Sequence, residues 1–472
     1  MNPILQNDLQ DIENILEQVK QHGIDFLSSI DAVPTSTQNT INTTGSLKDS
    51  GIGSLASLEV FKQRLAPLMV SQAGPRYLGF VTGGATPASI VGDWLTTIYD
   101  PNAQATNAQG GVSALIEIET INLLLQLLNL PKSFLGGFVT GATMSNFTCL
   151  AVARQWFGKQ LGHDFAKNGI TAPLNILTAT PHSSSIKCLA MLGVGSQNFI
   201  KINTIKGNRE AIDINDLEQN ILKLNGQPFI LISSAATVNT ADFDDFVAIS
   251  KLKEKYNFWW HIDAAFGGFA ACSPKYKHLV NGWENADSIT IDCHKWLNVP
   301  YESAFYLIKE QHKNYQVETF QNSNAPYLGD PLENFNYLNF LPENSRRLKA
   351  LPVWFSLLAY GKQGFQDIVE NSVARALQLD DFIVQNESFE LLAPTRLNNV
   401  CFTLKGEHNQ EKVASFLTKL NDKGKVFMTP TVYQNRKGIR ASFVNWRTSE
   451  LDVVIVIEAL KGTILELNIS VF

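Results

Sequence analysis

Cysteine is sparse and unpatterned in this chain of 472 residues: five are scattered at Cys149, Cys188, Cys272, Cys293 and Cys401. Their odd number and wide spacing exclude a disulfide framework and a cysteine-based metal motif, and point to a reducing, cytoplasmic setting. Positive charge is in deficit, with 38 Lys and Arg against 44 Asp and Glu and a net charge of -6. That balance gives no electrostatic reason to expect nucleic acid or an anionic membrane as a partner. No apolar run reaches the roughly 20 residues that span a bilayer. The N-terminus, MNPILQNDLQDIENILEQ, is acidic and amphipathic, without the basic start and apolar centre of a secretory signal. Internal repeats are lacking, and low complexity is confined to the Ser/Thr/Asn/Gly-rich residues 33–54.

What is present is a globular, core-rich composition, 44% hydrophobic and 17% charged. The length implies one large domain with one or two smaller ones. Ile4, Leu5, Leu9, Ile12, Ile15, Leu16 and Val19 recur at helical spacing, so residues 4–28 read as an amphipathic helix whose stripe must be buried on the body or on a partner chain. A short helix around Leu58–Leu65 closes an N-terminal segment, 1–73. Apolar helices are expected in the stretch beginning Asp93 and over Ile116–Leu130, the second stopped by Pro131. Strands follow at 175–180, 199–202, 229–236, 258–265 and 288–292, most of them continuously apolar, with helical pattern between the later ones. That alternation is the mark of βαβ units and a mainly parallel sheet covered on both faces, an α/β fold over residues 74–363. Residues 315–345 read as a long loop, and Arg346 and Arg347 open a helix to Tyr360. From 364 to 472 the pattern becomes a small α+β domain, with helices at 368–386, 412–421 and 449–467 and strands near 390–392, 400–404, 425–429 and 438–443.

In parallel sheets ligands bind beyond the carboxyl ends of the strands. His182, Thr237, Asp263, Asp292, His294 and Lys295 all fall at such ends. Read alone, Lys295 is either a Schiff-base lysine or a strand-end lysine that snorkels to water. Asp263 alone could be a structural cap, and His182 a satisfied core histidine. Residues 74–90, GPRYLGFVTGGATPASI, are either a surface loop or a pocket wall carrying Tyr77, Phe80 and Thr82. The small-residue run from Gly136 to Asn146 before a helix near Phe147–Gly162 is either an anion cradle or an ordinary capped turn. Taken together, the set suggests pyridoxal phosphate. That cofactor needs an imine lysine, an acid at its ring nitrogen, a phosphate cradle and a stacking group, and Lys295, Asp263, the Gly141–Ser145 turn and His182 can supply them.

Thr140-Gly141-Ala142-Thr143-Met144-Ser145-Asn146, His182-Ser183-Ser184, His261-Ile262-Asp263-Ala264-Ala265-Phe266-Gly267-Gly268 and Asp292-Cys293-His294-Lys295-Trp296 resemble the group II pyridoxal-phosphate-dependent amino-acid decarboxylases. The resemblance runs from about residue 75 to 365. It implies the type I aminotransferase-like fold, a homodimer with the N-terminal segment wrapped over the partner, and decarboxylation of an L-amino acid to its amine. It makes Lys295 the imine lysine, Asp263 the partner of the ring nitrogen, His182 the stacking group and Ala265 the packing on the other ring face. Ala142, Thr143 and His294 would help hold the phosphate, with Thr237 near the cofactor. Phe80 and Thr82 would line the substrate site, and Tyr327 would be the loop tyrosine that returns a proton after CO2 leaves. Related alternatives are an aldehyde synthase, a carbon–carbon lyase or a protein that binds the cofactor without turnover. The chain departs from the family pattern in two places. Val238 replaces one of the family's consecutive threonines, and Asp292, a carboxylate, stands where several members have asparagine near the phosphate. Asn107–Gly111 is small and polar where aromatic decarboxylases tend to be bulkier.

Overall fold

The computed structural model describes residues 1–43, 45–104, 111–321, 332, 335–406 and 409–467. Seven strands form the main sheet: β1 Phe134–Val139, β2 Ile176–Thr178, β3 Ile200–Lys201, β4 Phe229–Ser234, β5 Phe258–Asp263, β6 Ser288–Asp292 and β7 Ala304–Lys309. Their spatial order is β1-β7-β6-β5-β4-β2-β3. β7 is antiparallel to both of its neighbours, and the pairings from β6 to β3 are parallel.

Both faces of this sheet are covered, as the unbroken apolar runs require. Leu231, Trp260 and Ile262 pack into one core, whereas Ile230, Ile232 and Trp259 pack into another. The two-residue period of the strand therefore feeds two layers of helix rather than one core and one wet face.

Two strands were not legible as strands. β7, with the sequence AFYLIK, returns antiparallel beside β6 and so needs no intervening helix to announce it. β1 contains Gly136 and Gly137, residues that read as part of a turn. Their role is close approach: a Cβ on Gly136 would lie 2.8 Å from Leu307 Cδ2, and one on Gly137 2.9 Å from the Tyr337 ring. The turn proper is Thr140–Gly141, and the next helix starts at Ala142, five residues before Phe147.

A second, antiparallel sheet follows, with β8 Phe389–Leu391, β9 Asn399–Leu404, β10 Thr429–Tyr433 and β11 Arg436–Ser442 in the order β10-β11-β9-β8. The strand expected at 425–429 begins only at Thr429. The preceding backbone is used elsewhere: Phe427 N donates to Arg76 O, and Leu78 N donates to Phe427 O, tying this sheet to residues 76–78. The helix expected from Arg346 starts at Ala350 and continues to Gln385, broken only at Gly361 (φ 56°). Part of the expected loop at 315–345 is helical, Lys313–Phe320. At the N-terminus the amphipathic helix is two, Pro3–Gln10 and Ile12–Ser28. Its stripe is left open by this chain, with Leu5, Leu9, Ile12, Leu16 and Val19 exposed.

Candidate active site

The carboxyl ends of β4 and β5, with the turn after β6, open into a cavity of about 470 Å³. Phe80, Ala142, His182, Thr237, Asp263, Ala265 and Lys295 all line it. A larger and more open groove of about 620 Å³, at residues 170–176 and 193–200, is lined by no titratable side chain. Of these two, the first offers the groups that can do chemistry, and it is the one at the strand ends that carry Lys295 and Asp263.

Lys295 reaches the cavity because the chain turns sharply after β6. Cys293 N and His294 N both donate to Ser303 O, and Gly83 N donates to His294 O. A Cβ on Gly83 would lie 1.8 Å from Lys295 O, so only glycine lets residues 79–86 pass behind the lysine. In that segment Phe80 and Val81 have φ of 55° and 61°, a conformation costly for side chains of this kind. The strain presents Phe80 to the cavity with 61% of its surface exposed.

Lys295 Nζ lies 2.8 Å from Asp292 Oδ2. The other oxygen of Asp292 accepts Ala142 N at 2.6 Å. A carboxylate at the first turn of a helix is favourable, which accounts for an acid at the place where the sequence pattern made one look costly. That helix, Ala142–Gln160, has Gly141 as its N-cap, which has no side chain to cap it, and with Ala142 N taken by Asp292 the following first-turn N–H groups are left to meet an anion. His294 stacks on Tyr301 with ring centroids 4.2 Å apart, and burial pulls its imidazole below the usual pKa.

Asp263 is buried at the end of β5 and accepts Ala265 N at 3.2 Å, Asn146 Nδ2 at 3.0 Å and Ser185 Oγ at 3.4 Å. His182 caps the helix Ser183–Met191, with Nδ1 accepting Ser184 N at 3.2 Å, and its ring stands open at the cavity. Thr237 donates to Glu210 Oε2 at 2.5 Å, and Thr240 to the same oxygen at 2.7 Å.

The cavity wall thus unites seven of the residues expected from sequence. His294 and Thr143 stand beside the helix start rather than in that wall, and Thr82 is buried with its hydroxyl on Gly79 O. Tyr327 lies outside the described residues. Two charged lining residues were missed, Glu210 and Arg440. Glu210 comes from a turn with no pattern of its own. Arg440 sits in β11 between buried Ile439 and Ala441, and a charge at a buried strand position was the available signal. Its Nη1 donates to Val238 O at 3.0 Å, so position 238 contributes its backbone, which a valine supplies as well as a threonine.

His261 is fully buried on the same strand, and burial pushes its pKa from 6.5 down to about 4, against the pull of Asp263. The unfolded chain therefore binds a proton that the folded chain refuses between those values. Stability from this site is present above pH 6.5 and is lost as pH falls towards 4, by roughly 3 kcal/mol. In His261→Gln this part of the acid sensitivity should vanish, which urea unfolding at pH 7 and pH 5 would detect as a smaller difference than in the parent.

The pyridoxal-dependent decarboxylase conserved domain matches residues 54–405. The chain belongs to that family. It is an enzyme, a carboxy-lyase, and its cofactor is pyridoxal phosphate. Among curated relatives, an aromatic-L-amino-acid decarboxylase of Bacillus atrophaeus is 28% identical over 84% of this chain and 82% of its own length. A phenylacetaldehyde synthase of Petunia hybrida is 24% identical over 81% and 79%. The crystal structure of Oryza sativa TDC with PLP and tryptamine superposes with a TM-score of 0.89 at 21% identity, covering 97% of this chain and 98% of that one. The fold is accordingly the type I fold of the pyridoxal-phosphate decarboxylases. The residues present fit the cofactor: a lysine amine, a buried carboxylate held by three donors, and the start of the helix Ala142–Gln160 meet in one cavity.

Proposed function

We propose that this decarboxylase removes the α-carboxylate of an L-amino acid, giving the amine and CO2, with Lys295, Asp263 and His182 as its central residues. The observation that carries the reading is the convergence of these three side chains on one cavity beside the start of the helix Ala142–Gln160. Bound pyridoxal phosphate supplies a carbonyl to hold the amine and a ring that accepts electrons as the carboxylate departs. Lys295 would be the attachment point, with Asp292 2.8 Å away to receive its amine when it is free. Asp263 would pair with the ring nitrogen and favour its protonated form. His182 and Ala265 would pack on the ring, while Ala142, Thr143 and His294 would hold the phosphate. Thr237, fixed by Glu210, would stand beside the cofactor, and Phe80 and Thr82 would shape the substrate side. Tyr327 would supply the proton to the product carbon.

Residues 1–73 would be an N-terminal helical segment, 74–363 the cofactor domain and 364–472 a small α+β domain. The uncovered stripe of Leu5, Leu9, Ile12 and Leu16, with Val91, Trp94 and Ile98 exposed on the helix Pro87–Tyr99, supports a homodimer. Light scattering should give close to twice the chain mass of 52.3 kDa, and a monomer at micromolar concentration would overturn it. Five free cysteines fit a cytoplasmic enzyme.

The substrate is tested with a panel of aromatic, acidic and basic L-amino acids, measuring CO2 and amine together. One class is expected to exceed the others by at least tenfold in kcat/KM. Aldehyde with ammonia in place of amine would favour the second reading, an aldehyde synthase, which the Petunia hybrida relative brings forward. A spectral response to amino acids without CO2 would sink decarboxylation of the tested panel.

A further inference from the structure

Behind Asp263, four fully buried side chains form a single file of hydrogen bonds. Trp259, His261 and Asp263 alternate along β5 and so project to one face of the strand. Ser288 lies opposite His261 in the register of β6, and Asn146 reaches in from the helix Ala142–Gln160. Trp259, His261, Ser288 and Asn146 each have no exposed surface.

The bonds have only one self-consistent direction. Trp259 Nε1–H can only donate, and Ser288 Oγ accepts it at 2.9 Å. A neutral imidazole carries one N–H, so its two nitrogens must play opposite parts. Asp263 needs donors on its oxygens, so the Asn146 amide presents Nδ2 to it at 3.0 Å and Oδ1 to His261 Nε2 at 2.9 Å. That oxygen must receive the ring's single proton. His261 Nδ1 is then an acceptor, 2.9 Å from Ser288 Oγ, which supplies its hydroxyl proton. The file runs Trp259 to Ser288 to His261 to Asn146 to Asp263, each link donating to the next. Asn146 Nδ2 also donates to Ser184 Oγ at 3.3 Å, and that hydroxyl stands 2.7 Å from His182 Nδ1. The same amide therefore contacts Asp263 directly and His182 through Ser184.

We propose that His261 is a positioning residue: by donating to Asn146 it locks the amide with its NH2 towards Asp263, and so keeps the Asp263 carboxyl group aimed at the cofactor ring. Without that donor the amide oxygen has no partner at the His261 side, and one of the contacts that oppose turning this oxygen to the carboxylate, two acceptors face to face in a buried place, is lost. The inference rests on the reading of Asp263 as the partner of the ring nitrogen.

The test is the dissociation constant of pyridoxal phosphate for the apo chain, followed with the visible spectrum of the bound cofactor. Four variants are compared: His261→Leu, His261→Asn, His261→Gln and Asp263→Asn. Glutamine can place a donor near the position of Nε2, whereas asparagine reaches only the side of Ser288. Leucine and asparagine are expected to weaken cofactor binding by about 10–100-fold, the usual cost of removing a supporting shell, and to alter the visible band. Glutamine should restore both to within a few-fold of the parent. Equal loss in all three His261 variants would mean that His261 only fills space, and no loss in any would mean that Asp263 needs no support; either result overturns the inference. Wild-type binding and spectrum in Asp263→Asn would instead remove the premise about Asp263. Should His261→Leu fail to fold, Asn146→Asp keeps the question open to refutation: it puts an acceptor where the donor stood, and wild-type affinity in it would overturn the proposal.

Discussion

Lys295→Ala is expected to release no CO2 above background, a loss of roughly 10³-fold or more, and to bind the cofactor without the visible band of the attached form. The size follows from what else the cavity holds. Lys295 and Arg440 are the cationic side chains among its described lining residues. Arg440 cannot stand in, because a guanidinium does not give up its proton to become a nucleophile, although burial shifts its pKa downward. Lys295 can, and its surroundings are suited to release and recapture of the amine: Asp292 at 2.8 Å on one side, and the Phe266 ring at 5.8 Å on the other. In the alanine variant Asp292 keeps only its bond to Ala142 N and its neighbour His294. Folding should survive, but Asp292 is buried and loses its cation, so the apo variant should melt below the parent. Borohydride reduction gives an independent readout: a cofactor mass should appear on the peptide containing Lys295 in the parent and nowhere in the variant. Decarboxylation within tenfold of the parent would refute the assignment of this lysine.

The site was legible because buried parallel strands write their own boundaries. β4, β5 and β6 are buried on both faces, so the polar residues that end or follow them, Thr237, Asp263 and the Asp292–Lys295 turn, mark the edge where ligands bind. The same logic fails where a strand's residues serve contacts made far away in sequence. β1 carries two glycines demanded by Leu307 and Tyr337. Glu210 and Arg440 join the cavity from a turn and from the second sheet, so no local spacing connects them to Lys295. Asp292 shows the converse. Its charge looked unfavourable beside a phosphate when only the family pattern was considered, and the geometry supplies a helix start and a lysine to meet it.

A buried ion pair far from the lysine should be the most sensitive point of the fold itself. Arg346→Met is expected to cost about 3–5 kcal/mol, more than most single substitutions. Arg346 Nη2 lies 2.6 Å from Glu117 Oε1 and 2.8 Å from Phe138 O, Nη1 donates to Ala103 O at 2.8 Å, and the guanidinium stacks 4.6 Å from the centre of the Tyr337 ring. One side chain thus joins the helix Ser113–Leu127, strand β1 and the chain leading into the long helix at Ala350. Glu117 has no exposed surface, its Oε1 also accepts Phe138 N at 2.8 Å, and its Oε2 is buried without a partner. Removing the arginine would leave that carboxylate charged or force it to take a proton, and either is costly. The isolated charge, rather than the lost contact area, should dominate. Glu117→Gln combined with Arg346→Met is then expected to be more stable than Arg346→Met alone by roughly 2 kcal/mol, since the amide oxygen still accepts Phe138 N and no charge is stranded. The double variant should still fall short of the parent, because Ala103 O and Phe138 O lose their donor. Urea midpoints of the apo forms would check the order. If the double variant is no more stable than the single one, the cost lies in the carbonyls that Arg346 ties together, and the pairing with Glu117 contributes little.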